Sequence, residues 1–411
     1  MKSDLPVHHS MDQFPIEDDC LVVGGIKLTC LAERVGKTPF YAYDRALLTR
    51  RVEFLRSQLP DRIGIHYAMK ANPMPAVVQH MASLVDGLDV ASAGEMKIAL
   101  DTPMPASEIS MAGPGKRRDE LRQAIAAGIT LHIESDTELT RISDQAMQLG
   151  IKPRVAVRIN PAFELKASGM KMGGGAKPFG IDEESLPQIL ARIKDLDLEF
   201  IGFHIFSGSQ NLNADSIITA QQESIALAVR LSEFCPAPIR KLNIGGGFGI
   251  PYFPGENRLE PGKIGEALDA SVDEMARTLP ESRLILELGR YLVGEAGIYA
   301  CRIIDRKISR GEVFLVTDGG LHHHLAASGN FGQVIRKNYP VVIGNHVLGR
   351  SREIASVVGP LCTPLDILAG KMDLAKADIG DLVVVFQSGA YGLTASPAAF
   401  LSQPGAEEIL V

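Results

Sequence analysis

The chain has 411 residues, 45% of them hydrophobic and 22% charged. That is ordinary globular composition, which excludes a disordered, collagen-like or coiled-coil chain, and at about 100–200 residues per domain two domains are expected. Lysine plus arginine (42) against aspartate plus glutamate (49) gives a net charge of −7, so there is no basic field to neutralise many phosphates and no nucleic-acid role is expected.

Five scattered cysteines (Cys20, Cys30, Cys235, Cys301, Cys362) form no CxxC pair, which argues against both a disulfide framework and a zinc ribbon. The opening MKSDLPVHHSMDQFPIEDD lacks the apolar core of a signal peptide. No stretch approaches the ~20 apolar residues of a bilayer span. A reduced cytoplasmic setting, away from membranes, is the expectation.

In chain order, the segment DCLVVGGIKLTCLAERVG (19–36) holds a short strand. Eight apolar or β-branched runs follow: RIGIHYAMK (62–70), VDGLDVAS (85–92), EISMAGPG (108–115), ITLHIES (129–135), RVAVRIN (154–160), EFIGFHIFS (199–207), RKLNIGGG (240–247) and RLILELGR (283–290). Helical segments alternate with them, such as PAVVQHMASL, DELRQAIAAG and DTELTRISDQAMQLG. In the last, Asp136 is the expected N-cap, with Leu139, Ile142 and Met147 at helical intervals. Strands alternating with helices predict parallel βαβ units, and eight of them predict an α/β fold of the (β/α)8 TIM-barrel type. A doubly wound open sheet is the rival, but the first run ends in AMKANP rather than in a glycine loop. After about residue 291, runs such as GIYACRIIDRKIS, EVFLVTDG, PVVIG, REIASVVG and DLVVVFQSG follow with few helices between them. They predict an all-β domain that the N-terminal strand joins. The expected division is 1–42 for the segment joining the β domain, 43–291 for the barrel and 292–411 for the C-terminal β domain.

In such a barrel the chemistry gathers at the C-terminal ends of the strands. Those ends carry Lys70, Ser92, Gly113, Glu134, Arg158 with Asn160, His204, Gly245–Gly247, and Glu287 with Arg290. Lys70 reads either as a surface lysine or as an amine able to form a Schiff base. Gly245, Gly246 and Gly247 are either a tight βα turn or a backbone cradle for phosphate. Glu287 and Arg290 could be a plain ion pair; alternatively, the carboxylate faces a pyridine nitrogen and the guanidinium a phosphate. His204 is a packed core histidine or a partner for a planar ring. The set as a whole suits pyridoxal 5′-phosphate. His322–His324 do not predict a metal site, because three consecutive histidines cannot all face one way on a regular element and no carboxylate sits at ligand spacing.

YAMKANP around Lys70, DVASAGE (89–95), FHIFSGSQ (203–210), NIGGGFGIPY (243–252), ELGRY (287–291), GPLCTPLD (359–366) and SGAYG (388–392) closely resemble the fold-type III decarboxylases, which include the diaminopimelate, ornithine and arginine decarboxylases. The resemblance runs from about residue 38 to 398. ASGMKMGGGAKPFGI (167–181) and DGGLHHHLAASGNFGQVIRKNYP (318–340) look closer still to the pyridoxal-dependent decarboxylases associated with the exosortase A system, whose kin act on an aminoacyl group on a carrier protein.

The resemblance implies an alanine-racemase-like barrel and a homodimer with active sites at its interface. It implies that Lys70 holds the cofactor, His204 stacks on its ring, and Glu287 pairs with the ring nitrogen. Ser207 (or Ser209), Gly245–Gly247, Gly289, Arg290 and Tyr391 would then bind phosphate. Cys362 would be the acid that returns a proton, delivered from the partner subunit. Arg158, Thr363, Asp366 and Tyr391 would lie toward the substrate. Three departures stand out. Leu288 replaces a proline; Thr363 replaces the acidic residue that pairs a distal ammonium; and no distal-carboxylate motif is recognisable, although Arg336 and Tyr339 are nearby. The expected activity is α-decarboxylation of an L-amino acid or of an aminoacyl-carrier-protein substrate. The alternatives are decarboxylation of a free diamino acid, racemisation, which the acidic Glu287 disfavours, and a non-catalytic cofactor-binding look-alike.

Overall fold

The computed structural model describes residues 7–163, 170–171, 173–349 and 351–411. Part of the 167–181 motif (167–169 and 172) therefore lies outside the described residues. The chain divides into two units. One comprises Arg51–Ile250 and Arg258–Leu292; the other comprises the described residues up to Arg50, Pro251–Asn257 and Val293–Val411.

After an N-terminal stretch described below, the chain forms a strand of the second unit, β1 (Phe40–Tyr43), followed by α1 (Arg45–Gln58). The eight predicted runs then become the strands β2 (Gly64–Ala68), β3 (Gly87–Val90), β4 (Ile109–Met111), β5 (Thr130–Ile133), β6 (Arg154–Asn160), β7 (Glu199–Ile205), β8 (Lys241–Gly246) and β9 (Arg283–Leu288). All pair in parallel, and the β5–β6 ladder closes the ring into a barrel. Helices α2 (Pro75–Ala82), α3 (Ala93–Leu100), α4 (Arg118–Ala127), α5 (Asp136–Leu149), α6 (Leu186–Asp195), α7 (Ala214–Leu231), α8 (Pro261–Thr278) and α9 (Arg290–Val293) follow the strands in turn.

Local chemistry fixes several of these turns. Ser92 and Ser135 each stand between a strand and a helix, and their hydroxyls accept the N–H of Glu95 and Glu138 three residues on. Each glutamate reaches back to the N–H before its cap, at Ala91 and Glu134. This S-x-x-E logic satisfies the orphan donors of the helix start. The N-cap of α5 is thus Ser135, and Asp136, expected there, is the first helical residue. Met147, expected on the apolar face, is 74% exposed. Eight residues on from Leu139 it is about 80° round the helix, so Ala146 completes the buried stripe with Leu139 and Ile142.

The β unit is built on the long strand β10 (Gly297–Ser309), with β11 (Glu312–Thr317), β12 (Val341–Ile343), β13 (Arg352–Val358), β14 (Ile367–Ala375), β15 (Leu382–Val385) and β16 (Glu407–Leu410). The sheet order is β12-β15-β10-β11-β13-β14. The N-terminal strand that joins it is β1, antiparallel to β10 and parallel to β16. Cys20–Val23, within the segment read as the joining strand, pairs instead with Ile16–Glu17 and Ile26–Lys27 in a three-stranded sheet. The two sheets still share one core, in which Leu21, Leu28 and Leu31 pack with Phe40, Ile298 and Val384. No helix among the described residues is long and apolar enough to cross a membrane.

Candidate active site at the barrel rim

Lys70 follows β2 in a single 3-10 turn, Met69–Ala71, whose flanking side chains are buried while its own is 45% exposed. The turn is pinned: the Tyr67 hydroxyl donates to the Asn72 carbonyl at 2.8 Å, and Asn72 Oδ1 accepts the Met74 N–H at 3.1 Å. Beside it lies Gly289, where a Cβ would fall 2.9 Å from both the Ala68 oxygen and Ala71 Cβ. A larger residue would push the lysine turn away from the end of β9. As placed, Lys70 Nζ lies 3.7 Å from Glu287 Oε1 and 5.5 Å above the centre of the Phe206 ring.

Glu287 is the electrostatic centre. Its side chain is 5% exposed, and Oε2 lies 3.0 Å from His204 Nε2 and 3.3 Å from the Asn243 amide. Burial pushes its carboxyl up, but His204, Lys70 and Arg158 together outweigh burial and hold it well below the usual carboxylate range. The group is therefore anionic at neutral pH. His204 Nε2 is buried, and its contact with Glu287 is short without meeting hydrogen-bond angles. On its other edge, His204 Nδ1 lies 2.8 Å from His132 Nδ1.

The glycine turn ends β8. Gly245 and Gly247 have φ of +66° and +74°, conformations that a side chain disfavours. The Gly245 N–H donates to Asn243 Oδ1 at 2.8 Å, so one of the three turn donors is already used within the turn. Gly246 pairs in register with Glu287. A Cβ on Gly246 would lie 2.4 Å from Leu288 Cδ2, so the leucine that replaces proline fills the space the glycine leaves. Ser207 is buried just past β7, whereas Ser209 lies in a short ladder with Met170. Arg290 opens α9.

Behind this first group lies a buried ionic cluster. Arg158 Nη1 donates to Glu134 Oε1 at 2.9 Å with both side chains under 10% exposed. Glu134 also accepts N–H groups from Gly113 and Gly180. Burial raises the Glu134 carboxyl, but Arg158, Lys116 and the Gly113 N–H together bring it below the usual range. Lys116 in turn bonds Glu138 at 2.9 Å. Asn243, His132 and Phe206 belong to the site but were missed by the motif reading. The strand alternation that puts Asn243 on the same face as Gly245 was the available signal.

In the β unit, Cys362 is exposed and Thr363 partly so. Asp366, expected toward a substrate, is placed otherwise: it is 2% exposed and accepts the N–H groups of Leu321 at 2.6 Å and Leu361 at 2.9 Å. Its carboxylate thus ties the cysteine loop to the 320 turn. Tyr391 sits at φ +53°, its ring centre 6.5 Å from that of Phe331. Arg336 is committed to the loop framework, donating to the Ser328 and Ile367 carbonyls, both at 3.1 Å, and to Asn338 Oδ1 at 2.7 Å. Tyr339 is buried against Tyr252 and His324. His323 and His324 bond through Nε2 to the Pro404 carbonyl and the Ser388 hydroxyl.

A half-exposed lysine amine, a permanently anionic carboxylate beside it, a buried imidazole with an unsatisfied nitrogen and a glycine turn of left-handed backbone all share one rim. This donor set fits pyridoxal phosphate: an amine for an aldehyde, an acid for a pyridine nitrogen, and backbone able to come close to an anion.

Comparison with known proteins agrees. Residues 45–294 match the family described as "Pyridoxal-dependent decarboxylase, pyridoxal binding domain". The chain is 39% identical to the L-glutamyl-(BtrI acyl-carrier protein) decarboxylase of Niallia circulans, over 93% of this chain and 91% of that one. It is 31% identical to the diaminopimelate decarboxylase of Aquifex aeolicus, over 96% and 91%. The crystal structure of diaminopimelate decarboxylase from M. jannaschii in complex with L-lysine superposes with a TM-score of 0.86 at 25% identity, covering 97% of this chain and 92% of that one. The chain therefore belongs to the pyridoxal-dependent decarboxylases: it is a fold-type III enzyme that uses pyridoxal phosphate to decarboxylate an amino acid.

Proposed function

We propose that the substrate is an amino acid whose distal end is masked, namely an aminoacyl group of the L-glutamyl kind carried on an acyl-carrier protein. The observation that carries this reading is the state of Arg336, whose guanidinium already donates from Nε, Nη1 and Nη2 to two carbonyls and an amide oxygen, which ties it to the loop framework rather than to a distal carboxylate. Thr363 likewise brings no charge for a distal ammonium. A glutamyl thioester has neither group. The Niallia circulans relative, which acts on such a carrier-bound substrate by its name, supports the same choice.

When bound, pyridoxal phosphate supplies an aldehyde for an amine to capture and a ring that accepts the electron pair left by departing CO2. Lys70 would hold the aldehyde carbon and receive it back after each turnover. Glu287, kept anionic by its neighbours, would hold a proton on the ring nitrogen, and His204 would lie against the ring. Ser207, Gly245–Gly247, Gly289, Arg290 and Tyr391 would hold the phosphate. Arg158 stands in register beside His204 and, fixed by Glu134, would orient the substrate side. Thr363 would line the distal end of the substrate. Cys362 would return a proton to the carbon that lost its carboxylate, reaching the site from a partner subunit. A homodimer is supported by apolar residues exposed on the β unit, Phe331, Val334, Ile335 and Leu365, with Val334 entirely exposed. The expected compartment is the cytoplasm.

The deciding experiment measures CO2 release from individual free L-amino acids and from L-glutamyl-loaded carrier protein. Turnover of the loaded carrier with poor turnover of free glutamate, lysine and diaminopimelate is expected. Efficient turnover of free diaminopimelate with none of the carrier would refute the proposal and favour the activity that the Aquifex aeolicus relative carries in its name.

A further inference from the structure

Two nitrogens of the same kind, Nδ1 of His132 and Nδ1 of His204, lie 2.8 Å apart, with ring centres 4.6 Å apart and planes at 52°. Both residues are buried. At that separation one hydrogen, and only one, must lie between the nitrogens: two would clash and none would set lone pair against lone pair. The far edge of His204 decides which ring supplies it. Nε2 lies 3.0 Å from the Glu287 carboxylate, and a bare lone pair there would face a negative charge, so Nε2 carries a proton. Lys70 already lies 3.7 Å from the same carboxylate and Arg158 stands next to His204 in register, so the Nδ1 edge of His204 is the one left to accept a hydrogen.

We infer that His132 is a positioning residue for His204: it donates its Nδ1–H to His204 Nδ1 and so holds that imidazole with its proton on Nε2, toward Glu287. The χ2 torsion of histidine is broad and nearly two-fold, so packing alone does not choose between the two ring orientations; this hydrogen bond does. Burial disfavours a charge on His132, which leaves it a single N–H to place. The inference rests on the reading that His204 lies against the cofactor ring.

The test compares the holoenzymes of wild type, His132→Asn and His132→Gln. An asparagine amide nitrogen occupies about the place of Nδ1, whereas that of glutamine reaches one bond further, toward the place of Nε2. Both variants are polar and of similar bulk. The readouts are the pyridoxal phosphate dissociation constant and the visible circular dichroism of the bound cofactor, which reports the asymmetry of its surroundings. His132→Asn is expected within about twofold of wild type with its dichroic band kept. His132→Gln is expected to bind about tenfold more weakly, the scale of one lost hydrogen bond and a stranded buried acceptor, with a diminished band. Equal behaviour of the two variants, whether both intact or both impaired, would overturn the inference. A wild type that binds no cofactor would instead overturn the reading it rests on.

Discussion

Removing Arg158 should expose how tightly the barrel rim is held by charge. The Arg158→Met variant keeps the bulk but leaves the Glu134 carboxylate, 2% exposed, without its guanidinium at 2.9 Å. Breaking a buried pair in this way costs about 3–5 kcal/mol. Glu134 retains the Gly113 and Gly180 N–H groups and the field of Lys116, so the lower end, about 3 kcal/mol, is expected. For a unit of this size that is a fall of about 6–12 °C in unfolding temperature. Adding Glu134→Gln to Arg158→Met removes the stranded charge and should recover about 1 kcal/mol, so the double variant is more stable than the single one. The pH dependence has a definite sign. In the wild type the Glu134 carboxyl lies below its ordinary 4.5, so its contribution is complete above that value and is lost as pH falls through the lowered one. In Arg158→Met, burial, the largest cause acting on this carboxyl, is expected to raise it, so the penalty shrinks as pH falls through the raised value toward the ordinary one. Thermal unfolding of the wild type, Arg158→Met, Glu134→Gln and the double variant between pH 4 and 8 measures both effects. A double variant as unstable as the sum of the two single losses would refute the coupling.

Lys70→Ala should abolish the visible absorbance of the reconstituted enzyme; a colourless wild type after reconstitution would refute the cofactor assignment to Lys70. Cys362→Ala should lower turnover or change the product far more than it weakens cofactor binding, and equal losses in steady-state and binding assays would refute its role as acid. Asp366→Ala strands the Leu321 and Leu361 N–H groups and should destabilise the β unit by about 3 kcal/mol, two charge-assisted bonds at roughly 1.5 each. Asp366→Asn should restore part of that, and an unchanged melting profile for the alanine variant would show the loop is held otherwise.

The barrel was legible because each strand is a short apolar run ended by a polar or glycine residue, and because segments of helical periodicity, which need only local contacts, separate the runs. The rim was legible for the same reason: the residue that ends a parallel strand has little choice of direction. What stayed hidden depends on register between distant strands. His132 and His204 are ordinary members of their runs until the barrel brings β5 and β7 onto either side of β6. Asp366 looks like a substrate ligand in GPLCTPLD because nothing local reveals that Leu321 and Leu361 will present N–H groups to it. The N-terminal joining strand was placed too early for a similar reason. Cys20–Val23 and Phe40–Tyr43 are both short strand-like runs, and pairing with Gly297–Ala300 distinguishes them.

That pairing has a consequence for biosynthesis. Phe40–Tyr43 leaves the ribosome long before Gly297–Ala300 and Glu407–Leu410, which flank it in the finished sheet. At ordinary translation rates the delay is on the order of tens of seconds. Throughout that interval an apolar strand with both edges bare travels on the nascent chain, a hazard for association with other chains. Sequestration of this segment by a holdase until its partner strands emerge would therefore favour the yield of native enzyme.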